Sequence, residues 1–243
     1  MKTVIVIPCY NEADRLDLQS FVQFSKKHSN IDLCFVNDGS TDSTLNLLEG
    51  LRASLDKSRV NILTLKNNMG KGEAVRQGVL SAHAAGSYDV IAYWDADLAT
   101  PLDECLGMIE RLKTNDFDVI LGVRIGLCGW DIQRKMSRHY VGRIACTVVD
   151  LFFHFGIYDT QCGAKCFRAD LISDLCKTPF ISHWLFDIEL LNRYRLKAPQ
   201  AFKVYEYPIT RWKDVEASKL KATDLLMSGI DLIKIWIFSK RKT

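Results

Sequence analysis

An α/β fold, a mostly parallel sheet covered by helices on both faces, follows from three features of this 243-residue sequence. Short apolar, β-branched runs alternate with stretches of helical periodicity five times before residue 122. Polar clusters close the first, second and fourth of those runs. The composition, 48% apolar and 25% charged, is that of an ordinary globular chain. A chain of this length buries roughly 70–75% of its surface. Disordered, collagen-like, mucin-like and disulfide-stapled classes are excluded.

Residues 4–7 are the first strand, and helical spacing follows through Leu16, Leu18, Phe21, Val22 and Phe24. Residues 31–36 are the second, closed by Asn37-Asp38-Gly39-Ser40. A helix starts near Asp42 or Ser43 and carries Leu45, Leu48 and Leu51. Residues 60–65 are the third strand, and Asn67-Asn68-Met69-Gly70-Lys71-Gly72 leads into a helix through Ala74, Val75, Val79 and Ala82. Residues 88–94 are a fourth strand running into Asp95-Ala96-Asp97, 102–112 a helix, and 118–121 a fifth strand. Such βα repeats wind right-handed. In the second half a helix is expected over 133–154, a strand over 164–168, a helix over 184–194 and a strand over 201–207. A loop over 208–218 and a last helix over 219–238 complete the chain. No linker-like composition or internal repeat divides it, so one domain over 1–243 is expected.

The net charge is +3, but it is unevenly placed. From Arg211 onward eight Lys/Arg face four acids, whereas residues 1–210 hold 24 basic and 25 acidic groups. A nucleic-acid-binding body does not fit this balance, while a basic tail near an anionic surface does. The apolar run after Met1 is too short for a signal peptide, and the longest unbroken apolar run near the end, 235–238, is far below a membrane span. A cytoplasmic location, peripheral on the cytoplasmic face of a membrane at most, is expected. The eight cysteines then read as free thiols, mostly small core residues.

In open α/β sheets ligands bind at the carboxyl ends of the strands, where the polar clusters lie. Asp95-Ala96-Asp97 places two carboxylates at i and i+2 where a strand ends, a pattern suited to a hard cation such as Mg²⁺ or Mn²⁺. A cation held by one or two carboxylates keeps positions open for a diphosphate. The competing reading is an exposed acidic turn. Asp38 suits either a base or ribose contact or a plain turn and N-cap. The segment around Lys71 offers backbone N–H groups and an ammonium to phosphates at a helix start, although it matches neither the dinucleotide nor the P-loop pattern. Arg124, Arg134, Arg138 and Arg143 form a second theme, since guanidinium groups bind phosphate bidentately. His139 and His154 read as structural.

Pro8-Cys9-Tyr10-Asn11-Glu12, Asn37-Asp38-Gly39-Ser40-Thr41-Asp42, Gly70-Lys71-Gly72 and Asp95-Ala96-Asp97-Leu98, in this order, resemble the family 2 glycosyltransferases of GT-A (Rossmann-like) fold. Asp159-Thr160-Gln161-Cys162-Gly163, the Trp184–Leu191 stretch and Ser218-Lys219-Leu220 look like the polyprenyl-phosphate branch. Within it the dolichyl-phosphate β-glucosyltransferases are most similar, with the dolichyl-phosphate mannose synthases related. The chain departs from that pattern at Ala164, where an aromatic is usual, and at Ala217, where glycine is common. The N-terminal membrane helix of the eukaryotic glucosyltransferases has no counterpart.

The resemblance implies that Pro8, Tyr10, Glu12 and Asp38 hold the nucleotide, Asp95 assists, and Asp97 is the main metal ligand. It implies that Arg124 contacts the sugar nucleotide or acceptor phosphate and Lys219 the donor phosphates. Lys71 is a further candidate for the donor, and Arg134 and Arg138 for the acceptor phosphate. Residues 1–121 are then the nucleotide-sugar-binding half, 122–218 the acceptor half, and 219–243 an amphipathic helix with a basic tail that touches membrane. The expected reaction is inverting transfer of a hexose, from UDP-glucose first and GDP-mannose second, to a polyprenyl or dolichyl phosphate. Transfer to a hydroxyl of a cell-surface glycan or lipid is the alternative, with Asp187 as first and Asp159 as second candidate base. A non-catalytic nucleotide-sugar binder is the third possibility.

Overall fold

The computed structural model describes residues 1–86, 88–133, 136–214 and 222–240, the side chains at 137, 138 and 222–227 excepted. Its first half alternates β1 (Thr3–Cys9), α1 (Leu18–Lys27), β2 (Ile31–Asn37), α2 (Thr44–Ala53), β3 (Val60–Thr64), α3 (Lys71–Ala84), β4 (Val90–Trp94), α4 (Glu104–Thr114) and β5 (Val119–Val123). There follow β6 (Asp131–Gln133), α5 (Met136–Phe153), β7 (Ala164–Arg168), α6 (Ala169–Leu175), α7 (Phe186–Lys197), β8 (Val204–Pro208), β9 (Arg211–Lys213) and α8 (Ala222–Lys240).

Seven strands form one sheet in the order β3-β2-β1-β4-β7-β5-β8. Its pairs are parallel except those of β7, which runs antiparallel between β4 and β5. The strand expected over 164–168 therefore separates the fourth and fifth strands, which sequence order alone would place side by side.

Strand geometry sends alternate side chains to opposite faces. Ile5, Ile7, Leu33 and Phe35 meet Phe21, Leu48 and Met108 from α1, α2 and α4. Val4, Val6, Cys34 and Val36 meet Val79, Ile172 and Leu190 from α3, α6 and α7. Two covered faces explain why the central strands read as unbroken apolar runs. Each large apolar side chain buried there contributes about 1.5–3 kcal/mol relative to exposure. Of the cysteines, seven are buried and Cys128 is exposed.

The second half departs from expectation where elements are short. Three-residue β6 pairs parallel with β9, so the loop expected over 208–218 contains a strand and α5 begins at Met136 rather than 133. Strands this short give no readable periodicity. The seven-residue α6 was likewise not anticipated. A third cluster joins α5, the start of α7 and α8 through Val149, Phe153, Leu185, Ile188, Leu232 and Ile235. Trp236 packs edge-on against Phe152 with ring centroids 5.8 Å apart. One face of α8 is thus a core face. No described helix is long and apolar enough to cross a membrane.

Glu189 of α7 is fully buried, with Oε1 accepting from Arg193 Nε at 3.1 Å and NH2 at 2.6 Å. Oε2 accepts from the Ile181 N–H at 2.7 Å, and Arg193 also donates to the carbonyls of Leu175, Thr178 and Pro179. The pair pins the 175–181 connection onto α7. Arg193→Met is expected to lower stability by about 3–5 kcal/mol in urea unfolding, because it strands a buried carboxylate. Adding Glu189→Gln should recover part of that loss.

Candidate active site

The parallel strands deliver their loops to one edge of the sheet, where neighbouring loops hold one another. After β1, the Asn11 N–H donates to Ser40 Oγ at 3.1 Å, and Asn11 Oδ1 accepts from the Thr41 N–H at 2.9 Å. Asn11 itself has φ of 50°, a left-handed conformation that Asn tolerates better than most residues. The Glu12 N–H donates to Thr44 Oγ1 at 2.8 Å, and its carboxylate pairs with Arg15 at 2.6 Å. Pro8 and Tyr10 are half-buried on the same stretch.

Asp38, after β2, is buried. Its two oxygens accept from the N–H groups of Met69 at 2.7 Å and Gly70 at 2.9 Å. Burial pushes its carboxyl above the ordinary value, and the two N–H donors only partly offset this. The structure therefore gives Asp38 a positioning role toward the 68–70 loop, in addition to the acceptor capacity each oxygen retains. Gly39 makes that approach possible. Its φ is +65°, and a Cβ there would lie 2.4 Å from the Asn67 carbonyl carbon.

Trp94 ends β4 and fastens the next loop by donating from Nε1 to the Thr100 carbonyl at 2.7 Å. Asp95 then leans across the sheet onto β7. Its N–H donates to the Gly163 carbonyl at 2.9 Å, and a Cβ on Gly163 would lie 1.9 Å from its Oδ2. Lys71, the first residue of α3, reaches Asp95 Oδ1 at 2.5 Å. Burial alone would lower the Lys71 ammonium, but Asp95 and Asp187 outweigh it and hold it above its ordinary value. Asp97 Oδ1 accepts from the Ala99 N–H at 3.1 Å. Burial, then the facing charge of Asp95, pushes its carboxyl up. Two close carboxylates whose mutual repulsion is felt in this way suit a divalent cation. Among the described residues no group of three or more His, Cys, Asp and Glu is gathered as a cage. The donor set therefore fits Mg²⁺ or Mn²⁺ bound by Asp97 and Asp95, with diphosphate and water oxygens completing the shell.

The antiparallel β7 brings the second-half residues to the same edge. Arg124, just after β5, donates from Nε to Asp159 Oδ2 at 2.7 Å and from NH2 to Oδ1 at 2.9 Å. The Arg124 guanidinium also lies 5.5 Å from the Trp212 ring centroid. Burial works against the Asp159 carboxylate, but Arg124 overrides it and holds the group down at about 2. Asp159 takes the Nε/NH2 edge of Arg124, and the NH1 donors lie outside that pair. Glu206 Oε1 accepts from the N–H groups of Tyr158 and Asp159 and fixes this turn from β8.

Asp187 is not a surface acid. It is 4% exposed in the first turn of α7, with Oδ1 3.0 Å from Lys165 Nζ. Lys165 is 1% exposed and donates to the Cys162 carbonyl at 2.6 Å. Burial pushes Asp187 up to about 8 and Lys165 down to about 7. The structure thus gives Asp187 a buried lysine partner that the sequence did not reveal. Asp159, the second candidate, is too weak a base once locked to Arg124.

Lys165 was missed at the level of sequence, although a lysine inside the apolar strand 164–168 is itself a signal of a buried partner. Arg15 was also missed, and its charge helps stabilise the Asp97 carboxylate. Arg134 and Lys219 lie outside the described residues, as does the side chain of Arg138.

A mostly parallel sheet carrying an Asp-x-Asp pair at its edge, with cationic groups converging on it, defines a nucleotide-sugar transferase of GT-A architecture. The family model for glycosyl transferase family 2 matches residues 4–175. The chain belongs to that family and is a glycosyltransferase. It is 31% identical over 252 residues to a dolichyl-phosphate beta-glucosyltransferase of Saccharomyces cerevisiae, covering 95% of this chain and 73% of that one. A human dolichyl-phosphate beta-glucosyltransferase is 29% identical, covering 95% of this chain and 74% of its own. Among solved structures, glucosyl-3-phosphoglycerate synthase from Mycobacterium tuberculosis, in complex with Mn²⁺ and UDP-glucose, superposes with a TM-score of 0.69. That likeness covers 98% of this chain and 78% of the other at 17% identity, and it shows the fold.

The Asp187 shift has a measurable sign. A carboxyl raised on folding contributes stability at low pH that is lost as pH rises toward and past its folded value. The stability of the wild type relative to Asp187→Asn is therefore expected to fall steadily from about pH 5 and to level off above the Asp187 value near 8. Urea unfolding across that range checks it. A flat difference would place the Asp187 titration near the ordinary carboxylate value.

Proposed function

We propose that this enzyme transfers glucose, with inversion, from UDP-glucose to a polyprenyl phosphate of the dolichyl type at the cytoplasmic surface of a membrane. The observation that carries the proposal is the pairing of the two candidate bases. Asp187 is buried against Lys165, where burial pushes its carboxyl up, and Asp159 is held as a carboxylate by the Arg124 guanidinium. A hydroxyl acceptor needs a base, whereas a lipid phosphate is already ionised near neutral pH. The relatives named for glucosyl transfer to dolichyl phosphate, aligned over 95% of the chain, support the same acceptor and favour glucose over mannose.

On this reading residues 1–121 bind the donor, with Pro8, Tyr10 and Glu12 on the nucleotide and Asp38 holding the Met69–Gly70 loop against it. A divalent cation at Asp97 and Asp95 would supply charge neutralisation for the departing nucleoside diphosphate. Lys71 adds a fixed ammonium beside that pair. The acceptor half, 122–218, aims the lipid phosphate. Arg124 acts there by locking Asp159 and the turn before Gly163, while Arg134 and Arg138 are the cations left for the phosphate itself. The Lys213 N–H donates to the Ala99 carbonyl at 3.0 Å. Lys219 is proposed as a contact of the donor phosphates, as the family resemblance implies.

The test is transfer of label from UDP-glucose to polyprenyl phosphate in Mn²⁺ or Mg²⁺, read as organic-extractable, acid-labile product. Wild type should form it, GDP-mannose should not substitute, and Asp97→Asn should lower kcat/KM by about 10³-fold. Product only with glycan hydroxyl acceptors would overturn the acceptor. Donor binding without any transfer would overturn catalysis by this route.

A further inference from the structure

The turn that carries Asp97 is held in a conformation its residues do not favour. Leu98 has φ of 50°, in the left-handed region that leucine rarely adopts. Backbone of this kind persists only where its surroundings over-determine it. Here the Ala99 N–H donates to Asp97 Oδ1 at 3.1 Å, and the Ala99 carbonyl accepts from the Lys213 N–H at 3.0 Å. The Thr100 carbonyl accepts from Trp94 Nε1 at 2.7 Å. Trp94 stands on β4, which is buried along its whole length. Lys213 stands on β9, three residues long and paired with the three residues of β6. A two-stranded ribbon of that size is not rigid by itself, so its firmness comes from what it docks on.

We propose that Glu104 is a positioning residue that sets the Asp97 carboxylate, acting through β9. The proposal rests on the reading of Asp97 as the main cation ligand and names what holds that ligand in place. Glu104 lies in the first turn of α4 and is 6% exposed. Its Oε1 accepts from the Thr210 N–H at 3.1 Å, the Thr210 hydroxyl at 2.5 Å and the Arg211 N–H at 3.1 Å. Three donors converging on one oxygen fix both residues at the entry of β9. One turn further along the same face of α4, a Cβ on Gly107 would lie 2.1 Å from the Tyr207 hydroxyl. Helix α4 therefore takes the β8–β9 segment at two points.

The path is short and continuous. It runs from Glu104 to Thr210 and Arg211, from Lys213 to Ala99, and from Ala99 to Asp97. A carboxylate that ligates a cation is aimed by its own hydrogen-bond partners, and losing one typically lowers cation affinity about 10–100-fold. The starting point of the path is rigid, because α4 packs into the core through Cys105, Met108 and Leu112. The same ribbon also meets the second half of the chain. Trp212, buried in the middle of β9, lies 5.5 Å from the Arg124 guanidinium that locks Asp159. Glu104 thus anchors the strand that touches Ala99 on one side and Arg124 on the other.

Calorimetry of UDP binding, once in Mn²⁺ and once in EDTA, tests this. Glu104→Leu should weaken UDP binding in Mn²⁺ by about tenfold or more. It should leave binding in EDTA unchanged, because Pro8, Tyr10 and Asp38 are untouched. Glu104→Gln keeps an oxygen that accepts the same donors and should stay within about threefold of the wild type in both. Adding Glu104→Leu to Asp97→Asn should cost nothing further, since the path ends at Asp97. Hydrogen exchange at the Ala99 and Lys213 amides should quicken in Glu104→Leu. If that variant does not fold, Thr210→Val removes the shortest of the three bonds from an exposed residue, and should show the same pattern at about two- to threefold. Wild-type affinity in Mn²⁺, an equal loss in Mn²⁺ and EDTA, or additive losses in the double variant would overturn the proposal. If Asp97→Asn leaves the Mn²⁺ dependence of UDP binding intact, the reading of Asp97 as a ligand fails instead. Exchange at the Ala99 and Lys213 amides then decides the positioning role by itself: quickened exchange supports it and unchanged exchange overturns it.

Discussion

The approach of Asp95 to Gly163 is the constraint on which the rest of the site depends. The carboxylate occupies the space a side chain at residue 163 would take, with Oδ2 only 1.9 Å from the ideal Cβ position. The backbone seals the contact through the Asp95 N–H and the Gly163 carbonyl. This junction exists because β7 runs antiparallel beside β4, with Trp94 opposite Ala164. A parallel strand there would present its other end, and the 159–163 turn would sit at the far edge of the sheet. The inserted strand thus brings Arg124–Asp159 from the second half beside Asp95–Asp97 and Lys71 from the first.

Behind that edge lie two buried cation–carboxylate pairs, Lys165–Asp187 and Arg124–Asp159. Taking two full charges out of water costs several kcal/mol per ion. Burial pushes the Asp187 carboxyl up and the Lys165 ammonium down, each toward its neutral form, which lowers that cost. Arg124 and Asp159 solve the same problem the other way, because a guanidinium does not give up its proton and two parallel hydrogen bonds satisfy it. Both carboxylates are thus engaged by buried cations behind the site.

Legibility in the sequence followed the length and locality of each signal. The five βα repeats and the polar clusters at strand ends are local patterns, and the sheet edge they foretell is where Asp38, Lys71, Asp95 and Asp97 meet. The position of β7 was not legible, since the five residues 164–168 carry no mark of which strands they join. Side-chain partners that depend on that strand were hidden for the same reason. Arg124 looked like a free cation because Asp159 is 35 positions away in sequence, and Asp187 looked like a usable acid because Lys165 is on another element.

Donor binding by Gly163→Ala, measured by titration calorimetry with UDP and Mn²⁺, tests the central claim most directly. The added methyl displaces the Asp95 carboxylate while leaving both aspartates, Lys71 and the sheet in place. A displacement on this scale should weaken UDP–Mn²⁺ binding by about 10²-fold with little change in melting temperature. Wild-type affinity in that variant would contradict the account, because the diphosphate and its cation would then be held by something other than the seat that β7 makes for Asp95.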